Sequence, residues 1–514
     1  MQEHFEENIL STENINHCIM VFQHLCNNGD QLHQLNNEQI LELSKLAGQF
    51  SRPDRIELKK RNKGFRKNDK LKIYIQNKEA RETAGIRKAR TKNVFVAPKQ
   101  IEAPEDVFSD KKHLHSHRNC YICKKEFTEI HHFYDALCMK CGDLNYEKRF
   151  QHCDMTNQVV LITGSRLKIG FHTALKLLRC GATVIATTRF PVDSAIRYAQ
   201  ETDYNDWKNR LHIYGLDLRH IPSVEIFCRH VLNQFERLDI LINNAAQTVR
   251  RPPGFYRHLM ENENKSWNEF SQNIKLILNN YNQLIKQIRK VHKDDINKSV
   301  IPVSWDIKEI GVGITSSAEL SQIPYKVDLL EDTDHLFPTG KLDVDLQQVD
   351  LRKTNSWRLK LGEIETAEMI EVQLVNAIAP FVLNNRLINL MKLENTGQKH
   401  IVNVTAMEGK FYRFTKAPRH PHTNMAKAAL NMMTHTAASD LALHGIFINA
   451  VDTGWVTDED PAELAQFKSE IHDFQPPLDI VDGAARVCDP FIDGILSGKH
   501  WNGRFLKDYM PIDW

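Results

Sequence analysis

The stretch that most constrains this chain is residues 158–170, QVVLITGSRLKIG. Its first half is a short apolar run rich in Val and Ile, which is typical of a buried parallel strand. The run breaks at Thr163-Gly164 into a polar turn, and apolar residues after Gly170 recur at helical spacing. This order of strand, glycine-containing turn and helix is typical of a dinucleotide-binding unit, in which the pyrophosphate meets the helix N-terminus.

Strand and helix patterns alternate from residue 155 to the end, which predicts a doubly wound parallel sheet. Further strands are expected at TVIATT, LHIYGLDL, LDILINNAA, HIVNVTAMEG and FINAVDTGWVT, with a closing strand at 503–507. An insertion, residues 247–360, interrupts the alternation after the fourth strand. Because it leaves the sheet edge where ligands bind, we expect a lid or interaction element, with a surface embellishment as the alternative.

These elements resemble the short-chain dehydrogenase/reductase superfamily. The turn is similar to its TGxxxGxG pattern, with Lys168 at the middle glycine. NNAA at 243–246 is similar to its NNAG element, and NAVDTGWVT at 449–457 to its NAxxPGWxxT loop. A bacterial and plant group with a four-cysteine segment in front is the nearest likeness. The resemblance implies a Rossmann-type α/β domain and an NAD(P)-dependent oxidoreductase acting on an unknown carbonyl or alcohol.

The resemblance also implies a nicotinamide cofactor, either NADP(H) or NAD(H). Arg189 follows the second strand, where an acid binds the ribose 2′-OH and arginine accommodates a 2′-phosphate. Arg189 therefore favours NADP, with an ordinary surface arginine as the alternative. The expected cofactor-binding residues are Gly164, Ser165, Arg166, Leu167, Ile169, Gly170, Arg189, Asp217, Leu218, Asn243, Ala245 and Lys427.

The catalytic residues match the superfamily only in part. Its active members use Ser, Tyr, Lys four residues after Tyr, and Asn. Lys427 and Asn376 stand at the Lys and Asn positions, but Thr423 replaces Tyr. The Ser position falls on Ala406, with Thr405 before it. A threonine hydroxyl is too weak an acid to replace a phenol unaided, so we expect Thr423 and Thr405 to orient and another group to supply the proton.

That group is expected to be His422 or Tyr412, with His420 and Asp452 also near in sequence. Tyr412 begins a second YxxxK pattern, but the prolines that follow cannot lie inside the helix that Lys should begin, so it is not a direct equivalent. Two functions stay open: an oxidoreductase with a rebuilt proton donor, and a catalytically silent NADP-binding sensor or scaffold. Turnover of a carbonyl or alcohol separates them.

A second motif precedes the Rossmann pattern. Two CxxC pairs, Cys120/Cys123 and Cys138/Cys141, are typical of a structural Zn²⁺ site closed by four thiolates. The spacing resembles zinc-ribbon or treble-clef modules. His131 and His132 lie between the pairs and are expected to be bystanders. Four reduced, buried cysteines without metal are the alternative.

The remaining expectations concern the whole chain. The predicted segments are a basic helical N-terminal region with a linker (1–110), a zinc-ribbon-like four-cysteine module (111–154) and the Rossmann domain (155–514). The basic stretch 55–92 suits an acidic or nucleic-acid partner, although a solvated helical arm is the favoured interpretation. Ten cysteines, net charge +2 and no apolar run of 18 residues favour a cytoplasmic protein without a membrane span. The apolar helix predicted at 424–443 favours a homodimer.

Overall fold

A computed structural model describes residues 9–90, 112–294, 316–325, 328, 333–412 and 416–514. The linker predicted at 94–109 lies outside the described residues. The chain forms two compact units, Met1–Gln76 and Asn77–Trp514. This division differs from the three predicted segments, because the four-cysteine module and the Rossmann domain lie within one unit.

The N-terminal region is helical, as the apolar spacing predicts. Its helices are α1 (Thr12–Asn27), α2 (Asn37–Ser51) and α3 (Arg55–Glu82). Asn36 caps α2, because its side-chain oxygen accepts a hydrogen bond from the Gln39 backbone N–H. The Gln39 side-chain oxygen in turn accepts one from the Asn36 backbone N–H. None of the three helices contains a buried residue. The acidic or nucleic-acid partner of the basic stretch stays a prediction.

The second unit is built on an eight-stranded sheet in the order β10-β9-β8-β7-β6-β3-β4-β5. Every pairing is parallel except that of β10 with β9. The strands are β3 (Val159–Thr163), β4 (Thr183–Thr188), β5 (Leu211–Gly215), β6 (Ile240–Asn243), β7 (Lys399–Thr405), β8 (Ile446–Asp452), β9 (Arg504–Lys507) and β10 (Met510–Ile512). A separate antiparallel hairpin consists of β1 (His113–Asn119) and β2 (Glu126–Glu129). The predicted parallel sheet is confirmed, and its strand order reverses between β3 and β6, where ligands bind in such sheets.

Helices cover both faces of the sheet. The helices that follow α3 in the described residues are α4 (Gly85–Arg90), α5 (Met139–Phe150), α6 (Lys168–Arg179), α7 (Pro191–Ala199), α8 (Tyr204–Trp207), α9 (Ile221–Gln234), α10 (Pro253–Glu263), α11 (Gln272–Asp294), α12 (Thr333–Leu336), α13 (Thr366–Gln373), α14 (Ala379–Lys392), α15 (Pro421–Ala442), α16 (Ala462–His472) and α17 (Ile480–Ser497). One core lies between the sheet and helices α6 and α17. The other lies between the sheet and helices α9, α14 and α15. The β-strands of the Rossmann domain therefore read as apolar runs because both faces are buried.

The insertion is packed against the domain through its long helix α11. This helix lies beside the edge strand β5, where the Tyr281 hydroxyl approaches Gly215. Covering an edge strand removes a free row of backbone hydrogen-bonding groups. The buried apolar side chains of α11 that join the two cores are Ile277, Leu278, Leu284 and Ile288. The insertion is thus part of the core and more than a surface embellishment.

One described helical stretch, Thr366–Lys392, is long and apolar enough to cross a membrane by length and composition. It comprises α13, a π-helical turn at Leu374–Ile378, and α14. Its side chains Leu383, Leu387 and Leu390 belong to the core of the Rossmann domain. Its length and apolar character therefore reflect its place beside the sheet.

Candidate active site and four-cysteine site

The turn after β3 is closed so tightly that only glycine fits at two positions. Gly164 has φ +69°, and a Cβ there would lie 2.8 Å from the Ala245 Cα atom. A Cβ on Gly170 would lie 2.1 Å from the Gly164 carbonyl oxygen. Lys168, at the superfamily's middle glycine, has φ +51°, a left-handed conformation that glycine adopts without strain. The backbone therefore keeps the family's turn even though the glycine is gone.

A cavity of about 380 Å³ opens beside this turn, where the strand order reverses. Its lining comes from the turn, the ends of β4, β5 and β6, and the insertion. The predicted cofactor residues that line it are Gly164, Arg166, Leu167, Ile169, Gly170, Arg189, Asp217, Leu218 and Ala245. Position and lining suit the adenosine and phosphate groups of a dinucleotide.

Three predicted cofactor residues do not line the cavity: Ser165, Asn243 and Lys427. Ser165 is fully buried, and its hydroxyl donates to the Thr187 carbonyl at 3.3 Å. The Asn243 side-chain amide donates to the Asn384 and Asn403 side chains at 2.9 and 2.8 Å. Asn243 therefore ties β6 to β7 and α14.

Four arginines line the cavity, and three of them have carboxylate partners. Arg166 pairs with Asp193 at 2.7 Å, Arg219 pairs with Asp217 at 2.6 Å, and Arg251 pairs with Asp350. Arg189 differs, because within the described part of the chain its guanidinium meets no carboxylate and instead donates to the Tyr256 hydroxyl at 2.8 Å. Arg189 therefore forms no ion pair with a described acid, although Asp217 lies near enough to act on it electrostatically.

The insertion reaches the phosphate turn directly. The Lys168 ammonium lies 3.9 Å from the Asp345 carboxylate, which is 13% exposed. The Arg197 guanidinium donates to the carbonyl oxygens of Asp345 and Leu346 at 3.3 and 3.0 Å. The insertion therefore forms one side of the cavity, and its role as a lid stays a prediction.

Lys427 lies inside the domain at the end of β7. Its ammonium donates to the Val404 carbonyl at 2.8 Å. Burial lowers the pKa of Lys427 to about 8, against the opposite influence of Glu408 and Asp452. Thr405 is buried beside it and donates to the Asn431 side chain at 2.7 Å. Lys427 and Thr405 are thus brought together.

The two predicted proton donors have different surroundings. Tyr412 is 89% exposed, so the structure places its phenol in solvent, away from the buried Lys427. His422 is 2% exposed, and neither of its ring nitrogens meets a hydrogen-bond partner among the described residues. Burial lowers the pKa of His422 to about 4, which keeps its imidazole neutral near pH 7.

Asn376 lies in the π-helical turn and is fixed by one backbone unit. Its side-chain oxygen accepts from the Gln247 N–H at 2.7 Å, and its amide donates to the Gln247 carbonyl at 3.0 Å. Gln247 itself lines the cavity. Asn376 therefore shapes the cavity wall through Gln247. The Asp452 carboxylate also binds the backbone, because it accepts hydrogen bonds from the backbone N–H groups of Met407 and Gly454 at 2.8 Å each.

His420, which the sequence offers only as a further neighbour of the expected proton donors, lies against Thr423 in the structure. The His420 Nδ1 atom lies 2.9 Å from the Thr423 hydroxyl oxygen. Its ring stacks on Trp357 of the insertion, with centroids 3.9 Å apart and planes 6° from parallel. Pro421 directly after it was the available signal, since proline begins helices and leaves the preceding residue as the cap.

The second candidate site is formed by the four cysteines. One pair lies in the β1–β2 turn and the other at the start of α5. The four sulfur atoms lie within 4.8 Å of one another, and the Cys123 and Cys138 sulfurs are 3.7 Å apart. Thiolates around a tetrahedral Zn²⁺ at roughly 2.3 Å lie about 3.8 Å from one another. The cluster therefore has the donor set and the approximate spacing that a zinc ion requires.

The histidines near this cluster serve other purposes. The His131 Nδ1 atom accepts from the backbone N–H groups of Phe133 and Tyr134 at 3.1 and 3.2 Å. The group of metal-ligating side chains found in the described residues contains the four cysteines without His131 or His132. Both histidines behave as the bystanders that the sequence predicts.

The four-cysteine module shares its core with the Rossmann domain. Arg149 is 1% exposed and pairs with Asp479 and Asp482, at the start of α17, at 2.7 and 2.9 Å. The Tyr134 hydroxyl donates to Asp482 at 2.5 Å. Tyr121 accepts a hydrogen bond from the Trp455 N–H at 3.0 Å. The module therefore supports the start of α17 and the loop after β8.

Comparison with known families decides the relationship. Residues 158–301 match the model of short chain dehydrogenases, and residues 334–477 match that of Enoyl-(Acyl carrier protein) reductase. The chain belongs to the short-chain dehydrogenase/reductase superfamily. As a member of this superfamily it is an oxidoreductase, and the family's fold agrees with the parallel sheet described above.

Relatives within the short-chain dehydrogenase/reductase superfamily cover the chain to different extents. Uncharacterized protein R665 of Acanthamoeba polyphaga mimivirus is 30% identical over 407 residues, which are 77% of this chain and 75% of that protein. Mouse retinol dehydrogenase 13 is 35% identical over 89 residues, which are 17% of this chain and 26% of that protein. A Burkholderia cenocepacia short chain dehydrogenase in complex with NADP is 16% identical, covers 68% of this chain and 96% of its own, and has a TM-score of 0.40.

Proposed function

We propose that the protein is an NADP-dependent oxidoreductase that interconverts a carbonyl compound and an alcohol. The observation that carries this proposal is the cavity at the switch point, floored by the Gly164–Gly170 turn, in a chain that retains Lys427. The bound nicotinamide supplies and accepts hydride. The chain's own residues bind the dinucleotide, place the Lys427 charge near the site and handle the proton of the alcohol.

Arg189 supports NADP over NAD. It is the cavity arginine without a described carboxylate partner, and it follows β4, where the adenosine ribose lies in this fold. A ribose 2′-phosphate would neutralise that charge, whereas a 2′-OH would leave it unpaired.

The first prediction tests this role. We expect NADPH to bind at least roughly 10-fold more tightly than NADH, because the guanidinium pairs with the 2′-phosphate. Arg189→Asp should erase or reverse the preference by repelling that phosphate. Fluorescence titration with both reduced cofactors measures it. Arg504→Asp is the matched control, because Arg504 is exposed on β9 at the far side of the sheet. Equal affinities in the parent protein would refute the role of Arg189.

We also propose that the four cysteines hold one structural Zn²⁺. Four thiolates complete the coordination shell and leave no position for a substrate or water. The ion would hold the β1–β2 turn to the start of α5 and would take no part in hydride transfer.

A homodimer through α15 is our third proposal. Three apolar residues of the predicted interface, Met425, Ala429 and Met432, are exposed on α15, whereas Leu441 is buried. The neighbouring stretch α13–α14 exposes Ile370, Ile378 and Phe381. The two helices are joined where the Gln373 side chain donates to the His422 carbonyl at 2.9 Å. Apolar surface on adjacent helices favours burial against a second copy.

The second prediction tests this interface. Met432→Glu should convert the dimer to a monomer, because it would bury two like charges across a two-fold axis. Light scattering at micromolar concentration measures the mass. Leu496→Glu is the control, since Leu496 is similarly exposed but lies on α17. A monomeric parent would rule out the dimer.

A further inference from the structure

Thr423 stands where the superfamily has its catalytic tyrosine, and its hydroxyl group contacts the ring of His420. The Thr423 oxygen lies 2.9 Å from His420 Nδ1 and 2.8 Å from the His420 carbonyl oxygen. Thr423 and His420 are 3% and 8% exposed, and Thr423 lies one helical turn before Lys427. A hydroxyl in contact with an imidazole gains the proton donor or acceptor that threonine lacks alone.

The chain holds His420 in a conformation that the local sequence does not favour. Its φ is +42°, a left-handed value that is strained for a residue with a Cβ. Its backbone N–H donates to the Leu359 carbonyl at 2.7 Å, and Trp357 stacks on its ring. Both partners come from the end of the insertion. The insertion therefore fixes the orientation of this imidazole.

The same end of the insertion is tied to the cofactor cavity. The Trp357 backbone N–H donates to the Asn355 side-chain oxygen at 3.2 Å, and the Asn355 side-chain amide donates to the Glu459 backbone carbonyl at 2.9 Å. Glu459 lines the cavity. Trp357 thus lies on a short path of hydrogen bonds that starts at the cavity wall.

The electrostatic surroundings keep the imidazole neutral. Burial lowers the pKa of His420, and Glu408 acts in the opposite direction. Glu408 also acts on the nearby Lys427 ammonium. A neutral imidazole accepts a proton, and the buried cation favours deprotonation of a neighbouring hydroxyl.

We propose that His420 and Thr423 together replace the missing tyrosine, with Trp357 of the insertion holding His420 in place. Thr423 is the catalytic hydroxyl that contacts the substrate, and His420 and Trp357 are positioning residues. The proposal rests on the oxidoreductase function proposed above. It gives the insertion a part in the reaction that the superfamily's own pattern does not contain.

The proposed step balances in both directions. In oxidation, the alcohol transfers hydride from its carbon to NADP⁺ and its hydroxyl proton to Thr423, while Thr423 passes its own proton to His420 Nδ1. The products are a carbonyl compound, NADPH and a protonated imidazole. In reduction, His420 first takes up a proton from water, and the resulting imidazolium returns that proton to Thr423 as Thr423 protonates the alkoxide that hydride transfer forms.

The test uses the full-length protein with NADPH and two carbonyl probes, phenanthrenequinone and all-trans-retinal. His420→Phe keeps a ring against Trp357 but removes Nδ1, so kcat should fall by about 10²- to 10³-fold. The KM of the carbonyl and the Kd of NADPH should not change, because neither binding surface is altered. Trp357→Leu should also lower kcat, and Trp357→Phe should restore most of it. His435→Phe, at an exposed imidazole on the same helix α15, is the matched control and should leave kcat unchanged.

Each outcome decides a different point. Parent-like kcat in His420→Phe would overturn the pairing and leave the oxidoreductase function standing. Thr423→Val covers the case in which His420→Phe does not fold, since it removes the hydroxyl at nearly equal volume, and parent-like kcat there would equally overturn the pairing. A parent protein that oxidises NADPH with neither probe would overturn both the function and the pairing.

Discussion

Lys427→Met is expected to lower kcat/KM with NADPH by about 10²- to 10³-fold, the loss that follows removal of one charged group from an active site. Lys427 is buried one helical turn after Thr423, and its ammonium donates to the Val404 carbonyl. Methionine fills nearly the same space without the charge. Steady-state kinetics with both carbonyl probes measures the loss, and titration with NADPH should show weaker binding as well.

The same substitution should not destabilise the fold, which separates a functional lysine from a structural one. Burial lowers the pKa of Lys427 in the folded protein to about 8, below the ordinary lysine value of 10.5. Below pH 8 the folded protein therefore carries a buried charge that costs about 3 kcal/mol, a cost relieved as pH rises from 8 to 10.5. At pH 7 the melting temperature of Lys427→Met should equal or exceed that of the parent. Unchanged turnover in this variant would contradict the proposed mechanism.

Cys120→Ser is expected to lower the zinc content from about one ion per chain to nearly none and to destabilise more than the module itself. Cys120 is buried in a core that also contains Val456, Leu478 and Ile480 of the Rossmann domain. Sequence alone predicts that this damage stays within residues 117–150. The shared core instead predicts that it spreads to the loop after β8 and the start of α17.

Hydrogen exchange measured by mass spectrometry locates the damage, and metal analysis gives the zinc content. Exchange should rise at 453–457 and 479–486 as well as in the module. Cys18→Ser is the matched control, because Cys18 is exposed on α1. Exchange that rises only between residues 112 and 150 would show that the shared core does not transmit the loss. Full zinc content in Cys120→Ser would contradict the metal site.

The features that the sequence predicts well are those fixed by neighbours in the chain. The apolar runs of the parallel strands and the glycines at 164 and 170 are local requirements, and the structure has the strands and the tight turn where they were expected. The CxxC pairs are equally local, since each pair brings its own two sulfurs together. Their spacing also predicted that the two pairs meet, which they do within 4.8 Å.

The features that the sequence did not reveal depend on contacts between distant segments. His420 gains its orientation from Trp357, which lies more than sixty residues earlier in the insertion. Tyr412 is a candidate proton donor by its YxxxK spacing, but spacing along the chain does not indicate whether a side chain is buried. The phenol of Tyr412 faces solvent. The sequence also does not reveal that the Arg189 guanidinium lacks an ion-pair partner among the described residues. That depends on which carboxylates form ion pairs with the other arginines of the cavity.

The contacts between the four-cysteine module and the C-terminal part of the chain cannot form until late in translation. Arg87 of α4, which also pairs with Asp135 of the module, donates to Asp473 directly after α16 at 2.6 Å, and the two residues are 386 positions apart. Arg149 meets Asp479 across 330 positions. At translation rates of about 5–20 residues per second, the acidic partners leave the ribosome roughly 20 to 80 s after the arginines. For that interval the nascent module holds arginines and apolar side chains without their cover, so chaperones and zinc supply would act on it before the dehydrogenase domain is complete.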